Sequence, residues 1–331
     1  MSGVRAAVVG VGYLGRFHAE KYEALPAAEL VGVCDIDESV GRQVADRIGT
    51  RFFADHRELA GLVDAVTIAA TTGAHFELAR FFLEHGVHVL VEKPMTRTAR
   101  EAEILTALAE TRGLKLQVGH VERFNPTLLS AREGLTDISF IECHRLAPFK
   151  PRGADVNVVL DLMIHDLDVM LSLVDSSPCS VSAVGTGVLT DTVDIANARI
   201  EFDSGAIANV TASRVSTTGQ RRFRVFQQNQ YVSIDFGEGE VRRVVSSGDW
   251  DGPNPLKLDR WSLDKGDALL AETEAFVAAI VNDTPCIVSG QDGLAALQLA
   301  ESIIEDIERR ASRRRASGKR GKDSSGHGRE G

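Results

Sequence analysis

The residues most able to do chemistry lie in a segment that is otherwise apolar, VVLDLMIHDLDVM, residues 158–170. Four polar side chains interrupt it: Asp161, His165, Asp166 and Asp168. On a helix, residues four apart share a face, so Asp161 lies beside His165. Histidine has a pKa near neutrality and a carboxylate can orient its ring, so this pair suits proton transfer to or from a substrate hydroxyl. The competing interpretation is a structural histidine with an aspartate partner.

The other two carboxylates of the segment are expected to matter less. Asp166 points about 100 degrees away from His165 around a helix, which favours a structural role or a secondary contact. Asp168 follows His165 by three residues and either bonds the far side of the ring or caps a local turn. Neither is assigned to catalysis.

A lysine in VLVEKPM is the second candidate group. Glu92, Lys93 and Pro94 follow a predicted strand, and ligands of open α/β sheets bind outside the carboxyl ends of the strands. Pro94 stiffens the loop. Lys93 either polarises an alcohol oxygen or is itself the base if burial lowers its pKa. The alternative is a solvated loop lysine.

The stretch VVGVGYLG places Gly10, Gly12 and Gly15 as G-x-G-x-x-G between a strand and a helix. Such glycines permit a tight turn, close approach of the backbone to a pyrophosphate, and close helix–strand packing. Asp35 follows at the end of the second predicted strand, where a carboxylate bonds a ribose 2′-hydroxyl and repels a 2′-phosphate. No arginine immediately follows it. The sequence therefore favours NAD over NADP as the cofactor, with NADP left as the alternative.

These residues must be positioned by two kinds of domain. Residues 1–120 alternate strand and helix patterns with strands that are apolar throughout, which predicts an α/β Rossmann domain with a doubly wound parallel sheet. Residues 121–310 carry short alternating strands and a final pair of helices, which predicts an α+β domain with a large, mostly antiparallel sheet. Residues 311–331 predict a basic, disordered tail.

Composition excludes several function classes. No apolar run is long enough to span a membrane, and no signal-peptide pattern opens the chain. The segment from Arg309 holds nine Lys/Arg and two Asp/Glu, so the rest of this chain of net charge −10 is strongly acidic. An acidic body makes nucleic acid an unlikely partner outside that tail. Four scattered cysteines indicate free thiols and a cytoplasmic location, and no Cys/His spacing predicts a metal.

Three motifs in order, GVGYLG, EKP and D-x-x-x-H, resemble the Gfo/Idh/MocA oxidoreductases over roughly residues 4–310. The resemblance implies a nicotinamide cofactor, oxidation or reduction of a sugar or cyclitol carbinol, and an open-faced sheet used for homodimer or homotetramer contacts. It also implies a cis bond before Pro94, with Lys93 facing Asp161 and His165. Thr72 departs from the proline that many members have there. The implied cofactor residues are Gly10, Gly12, Tyr13, Leu14, Gly15, Asp35, Ala70, Thr71, His75, Glu92 and Lys93.

Three further stretches, VGHVERFNP, LAPFKPR and VVLDLMIHDLD, look like the UDP-N-acetylglucosamine 3-dehydrogenase branch of that family. The branch oxidises the sugar C3 hydroxyl to a ketone, which an aminotransferase converts to a 3-amino sugar for lipid A. A nucleotide-sugar substrate carries a diphosphate, so basic and polar residues are expected near it. The candidates are Arg123, Asn125, Arg145, Lys150 and Arg152. His120 is placed near the pocket and His18 in the structural core.

Two other functions stay open on the sequence alone. One is a dehydrogenase of the same family that acts on inositol or a free sugar. The other is a regulatory protein that binds a dinucleotide without catalysis, against which the joint presence of Lys93, Asp161 and His165 argues.

Overall fold

A computed structural model of the chain describes residues 3–150, 156–248, 254–264 and 266–323, with side chains up to residue 314. The first half contains the strands β1 (Val4–Val9), β2 (Ala28–Cys34), β3 (Arg51–Phe53), β4 (Ala65–Ile68), β5 (His88–Glu92) and β6 (Leu116–Gly119). The helices between them are α1 (Gly15–Ala24), α2 (Glu38–Ile48), α3 (Thr72–Glu84) and α4 (Ala99–Arg112).

The six strands form one parallel sheet in the order β3-β2-β1-β4-β5-β6. All residues of β4 and β6 are buried, as expected for strands covered by helices on both faces. The predicted doubly wound α/β fold is therefore confirmed. Strand β3 was not predicted, because three residues at a sheet edge are too few to show a pattern. Helix α2 ends at Gly49, which has the left-handed φ of 79° that is common at helix ends.

The second half is built on an eight-stranded sheet in the order β14-β13-β12-β11-β7-β10-β9-β8. Neighbouring strands in this sheet run antiparallel, except β7 and β10, which pair with each other in parallel. Burial alternates along β9, so one face packs on the core and the other is open. The predicted mostly antiparallel sheet is confirmed. The strands are β7 (Ile138–Leu146), β8 (Pro178–Thr186), β9 (Ile195–Phe202), β10 (Ile207–Ser213), β11 (Gln220–Gln227), β12 (Gln230–Asp235), β13 (Glu240–Ser246) and β14 (Leu256–Ser262).

Helical segments cover the inner face of this sheet and join it to the first domain. They are a 3-10 turn (Val121–Phe124), α5 (Pro126–Arg132), a π-helical turn (Val159–Met163), α6 (Ile164–Leu173), α7 (Ala268–Val281) and α8 (Gly290–Asp323). Phe276 and Val277 of α7 belong to the core around β1, so the chain returns to the first domain. Helix α8 bridges both cores, with Leu297 in the first and Ile303 in the second.

The end of the chain differs from the predicted disordered tail. Helix α8 continues through Asp323, and residues 324–331 lie outside the described part. Arginine, alanine and lysine are good helix formers, and extending a helix that already exists requires no new nucleation. Within the described residues, no helix is both long and apolar enough to cross a membrane. All four cysteines are unpaired, as predicted.

Candidate active site

The glycine-rich turn connects β1 to α1 and leaves no room for side chains at two of its glycines. Gly10 has φ of 84°, and a Cβ there would lie 2.6 Å from the Ala70 backbone. A Cβ on Gly15 would lie 1.8 Å from the Gly10 carbonyl oxygen. A Cβ on Gly12 would meet nothing within 4 Å, so the backbone at Gly12 borders open space. This geometry lets a phosphate approach the turn and the amino end of α1.

Asp35 stands where a ribose contact is expected. Its Oδ2 accepts a hydrogen bond from the Val11 backbone N–H at 2.7 Å, and its Oδ1 accepts one from Asp37 N–H at 2.9 Å. These bonds fix the carboxylate beside the turn, at the end of the second strand where a carboxylate can bond a ribose 2′-hydroxyl. The residues present therefore fit NAD.

A cleft of about 790 Å³ runs along the carboxyl ends of the strands. It is large enough for a substantial ligand. Every predicted cofactor residue except Gly15 lines it, and Gly15 packs behind the turn. The lining residues from that set are Gly10, Gly12, Tyr13, Leu14, Asp35, Ala70, Thr71, His75, Glu92 and Lys93.

Helix α3 begins in the usual way although Thr72 replaces the proline that many family members have there. Thr71 precedes α3 as its N-cap, and Thr72 is the first helical residue, a position where proline is common. His75 is buried, with Nδ1 at 3.0 Å from the Pro94 carbonyl oxygen and Nε2 at 3.0 Å from the Ala70 carbonyl oxygen. Burial lowers its pKa, and a neutral ring donates to one of these carbonyls. His75 thus holds the two loops of the cleft together.

Lys93 reaches from the first domain to the second. The Lys93–Pro94 bond is cis, as the family resemblance implied. Lys93 Nζ donates a hydrogen bond to the Asp161 backbone oxygen at 2.7 Å and lies 3.7 Å from Asp161 Oδ1. Burial lowers the pKa of Lys93, while the negative charges of Asp161 and Glu92 oppose that shift. Lys93 is therefore a constrained, partly desolvated amine at the end of the cofactor cleft.

Asp161, which was predicted to partner His165, pairs with Lys93. The π-helical turn there has a hydrogen bond from Ile164 N–H to the Val159 carbonyl oxygen. Such turns are frequent at functional sites. Among the described residues no hydrogen bond joins Asp161 to His165, and His165 Nδ1 is buried with no partner. Asp161 therefore does not orient the imidazole as predicted, because its carboxylate lies next to the ammonium of Lys93 instead.

The charge around His165 is predominantly positive. Burial lowers its pKa well below the ordinary value, and the charges of Lys93 and Arg145 add to this shift. His165 is consequently neutral near pH 7. His120 is also buried, and neither ring nitrogen has a partner among the residues that the structure describes. Burial together with the charge of Lys93 lowers its pKa to about 3. His120 therefore lies in the same environment as Lys93, in line with its predicted place near the pocket.

Arg145 forms an interior ion pair. Its guanidinium donates two 2.9 Å hydrogen bonds to the Asp166 carboxylate and a third, of 3.0 Å, to Glu122 Oε1. All three side chains are buried. This geometry favours a structural role for Arg145 over the predicted contact with substrate phosphates. It also gives Asp166 a structural role, as predicted, because the carboxylate of Asp166 anchors α6 to β7.

Two more of the predicted substrate residues have internal partners. Arg123 Nη1 lies 3.4 Å from Asp168 Oδ1, and Nη2 donates to the Ile287 carbonyl oxygen at 3.1 Å. Burial raises the pKa of Asp168 to about 7 in spite of this arginine. Asn125 caps α5 by accepting from Thr127 N–H at 3.0 Å. These contacts also favour structural roles over the predicted substrate contacts.

The remaining two predicted substrate residues lie in the loop after β7. Lys150 is exposed beyond the end of that strand. Arg152 lies outside the described residues. Sequence reasoning missed Arg221, a β11 residue whose positive charge contributes to the low pKa of His165. No motif contains Arg221, and only the register of the second sheet brings it to this site.

Comparisons with known proteins identify the family of both domains. Residues 4–120 match the GFO/IDH/MocA domain described as "Oxidoreductase family, NAD-binding Rossmann fold", and residues 137–232 match the GFO/IDH/MocA C-terminal domain. The chain is 39% identical to UDP-N-acetylglucosamine 3-dehydrogenase of Acidithiobacillus ferrooxidans, over 92% of this chain and 97% of that protein. It is 27% identical to inositol 2-dehydrogenase of Rhizobium meliloti, over 92% and 97%.

The solved structure of the Acidithiobacillus ferrooxidans enzyme superimposes with a TM-score of 0.88 at 38% identity, covering 93% of this chain and 99% of that one. Similarity of sequence and of structure therefore extends through both domains and includes the cofactor cleft. The chain belongs to the Gfo/Idh/MocA oxidoreductase family and has its NAD-binding Rossmann domain.

Proposed function

We propose that this protein oxidises the C3 hydroxyl of UDP-N-acetylglucosamine to a ketone with NAD as the cofactor. The observation that carries the proposal is the contact between Lys93 Nζ and Asp161 at the end of the cofactor cleft, beside His165. Similarity to a UDP-N-acetylglucosamine 3-dehydrogenase over nearly the whole chain supports the choice of substrate.

The reaction removes a hydride from carbon and a proton from oxygen. Bound NAD supplies the hydride acceptor, held by the glycine-rich turn and by Asp35. Lys93 is proposed to donate a hydrogen bond to the C3 oxygen and to stabilise negative charge as it develops there. Asp161 positions the ammonium of Lys93, since the two groups are already in contact.

His165 is proposed to accept the hydroxyl proton. Its imidazole is neutral near pH 7 because its pKa is lowered, so it is available as a base without prior deprotonation. The alternative is that Lys93 is the base, since burial lowers its pKa as well. The pH dependence of the rate separates the two assignments.

Other parts of the proposal concern the setting of the reaction. A 3-keto sugar is a substrate for transamination, so we propose that an aminotransferase consumes the product and that the 3-amino sugar enters lipid A. A cytoplasmic location accords with four unpaired cysteines. We further propose a homodimer or homotetramer formed through the open face of the eight-stranded sheet.

The test incubates the purified protein with NAD and UDP-N-acetylglucosamine, together with a keto-group trap to pull the equilibrium. Reduced cofactor is followed by absorbance, and the trapped sugar by mass spectrometry for the loss of two hydrogens. We expect turnover with this substrate and none with free N-acetylglucosamine or inositol. Turnover with inositol but not with UDP-N-acetylglucosamine would replace the proposed substrate by a cyclitol.

Two variants test the assigned groups, each with a matched control. Lys93→Met and His165→Asn are expected to lower kcat by at least about 100-fold, in the range typical of acid–base groups, while NAD binding measured by fluorescence stays nearly intact. Lys257→Met and His85→Asn change the same residue types at exposed positions away from the cleft and are expected to keep wild-type rates. Full activity of both site variants would refute the mechanism.

A further inference from the structure

We propose that Arg221 binds the diphosphate of the substrate and thereby selects nucleotide sugars over neutral sugars and cyclitols. This inference rests on the proposed function and deepens it, because it names the group that recognises the anionic part of the substrate.

Arg221 lies on the side of the sheet that carries the active site. Successive residues of a strand point to opposite faces, so Arg221 shares a face with Phe223 and Val225. Both are completely buried in the core between the sheet and α6. Antiparallel pairing places Arg221 directly opposite Arg145, whose guanidinium holds Asp166 next to His165. Arg221 is thus at the end of the core face, where the core opens towards the catalytic residues.

Arg221 differs from the neighbouring arginines because no carboxylate of the described residues pairs with its guanidinium. Its side chain is exposed, and within the described part of the chain its guanidinium makes no hydrogen bond or ion pair. Arg145 on the same face is held by two carboxylates, Asp166 and Glu122. A cation without a partner at the mouth of a site is available to an anionic ligand.

The two neighbouring arginines of β11 give the contrast. Arg222 and Arg224 point to the open face, where Arg222 Nη2 lies 3.3 Å from Asp235 Oδ2 and Arg224 Nη1 lies 2.6 Å from Glu142 Oε2. Both are neutralised by a carboxylate of a neighbouring strand. The strand therefore presents paired arginines on the open face and one unpaired arginine on the catalytic face.

The loop after β7 adds a second cation on the same edge. Residue Gln220 pairs with Leu146, the last residue of β7, and the chain continues into exposed Phe149 and Lys150. Arg221 also acts electrostatically on His165 and Asp166, which places it within reach of the reaction centre. A guanidinium matches phosphate oxygens with two parallel hydrogen bonds, whereas a neutral cyclitol offers no such partner. This edge thus fits a diphosphate.

The experiment measures binding and turnover separately. UDP is titrated into the full-length protein by calorimetry, for the wild type, Arg221→Gln and Arg222→Gln. We expect Arg221→Gln to weaken UDP binding at least 10-fold and to raise the KM for UDP-N-acetylglucosamine by a similar factor. Its kcat should change less than threefold, because the residue does not touch the reacting carbon. Arg221→Lys should restore part of the affinity, and Arg222→Gln should match the wild type.

NAD affinity and melting temperature serve as checks on folding and should be unchanged in Arg221→Gln. Equal UDP affinity in the wild type and Arg221→Gln, or no UDP binding by the wild type, would overturn the inference. Loss of UDP binding in Arg221→Gln without oxidation of UDP-N-acetylglucosamine by the wild type would refute the proposed reaction and leave the diphosphate contact supported. Oxidation with an unchanged KM in Arg221→Gln would refute only the contact.

Discussion

Replacing Glu272 by glutamine should make the protein more stable at neutral pH. Glu272 is fully buried on α7, and neither oxygen of its carboxyl group has a hydrogen-bond partner among the described residues. Burial raises its pKa well above the ordinary value, and the nearby charge of Glu92 raises it further. Glu92 itself is resistant to protonation: burial works against its charge, but the hydrogen bond from His18 Nε2 at 2.9 Å and the charge of Lys93 lower its pKa. Of these two carboxyl groups, Glu272 is therefore the protonated one and Glu92 the ionised one.

The magnitude follows from linkage between protonation and folding. A carboxyl whose pKa is raised in the folded state binds a proton that the unfolded chain has lost above pH 4.3 or so. The free energy of unfolding consequently falls by about 1.4 kcal/mol for each pH unit between the unfolded and the folded pKa. Between pH 5 and pH 7 the free energy of unfolding therefore falls by about 3 kcal/mol, as long as the pKa of Glu272 in the folded protein lies above pH 7. At an unfolding entropy of about 2 cal/mol/K per residue, this equals a shift in Tm of roughly 4 °C for 331 residues.

Melting curves from pH 5 to pH 8 test this reasoning. Glu272→Gln replaces the protonated carboxyl by a group of the same shape that cannot ionise, so its Tm should exceed that of the wild type by about 1 °C at pH 5 and by roughly 5 °C at pH 7. The control is Glu274→Gln, which changes the same residue type on the exposed side of α7 and should follow the wild type throughout. A lower Tm for Glu272→Gln at pH 7 would show that the ionised carboxylate stabilises the fold, as it would if His18, Glu92 and Glu272 held a cation, and would refute the argument.

Further predictions concern the turn, the buried ion pair and the base. Gly15→Ala should lower the Tm and abolish NAD binding because its Cβ would lie 1.8 Å from the Gly10 carbonyl oxygen, whereas Gly12→Ala should keep the Tm and raise the Kd for NAD. Arg145→Met should cost about 3–5 kcal/mol in urea unfolding because Asp166 and Glu122 stay buried without their partner, and adding Asp166→Leu should recover part of it. If His165 is the base, kcat/KM should be flat from pH 6.5 to pH 8.5, since its lowered pKa lies below that range; a rise of about tenfold per pH unit there would assign the base to Lys93.

The parts of the site that could be predicted from the sequence are those fixed by local spacing. Gly10 and Gly15 could be identified because a tight turn between a strand and a helix excludes side chains. Lys93 could be placed because the end of a parallel strand is a ligand-binding edge. The Rossmann sheet followed from apolar strands alternating with helices, which require cover on both faces.

The parts that could not be predicted depend on contacts distant in the chain. Arg145 was expected to face the substrate because it is basic and lies near the right motifs, but the sequence does not show that Asp166 and Glu122 surround it. Arg221 carries no motif, and its position follows only from pairing with β7. The widened turn at residues 159–163 was also invisible, since a π-helical turn has no distinctive composition.

The buried charges explain how a histidine with an unpartnered Nδ1 is nevertheless held in place. Helix α6 carries His165 near its first turn, and the following residue, Asp166, is fixed to β7 by two hydrogen bonds from Arg145. Two residues further, Asp168 contacts Arg123, which also binds the Ile287 carbonyl oxygen between α7 and α8. Two ion pairs on consecutive faces thus prevent α6 from rotating or sliding, while Lys93 holds the turn before it through the Asp161 backbone oxygen. The position of His165 is therefore fixed by the contacts that its neighbours Asp161, Asp166 and Asp168 make with Lys93, Arg145 and Arg123, which suits its proposed role as the base.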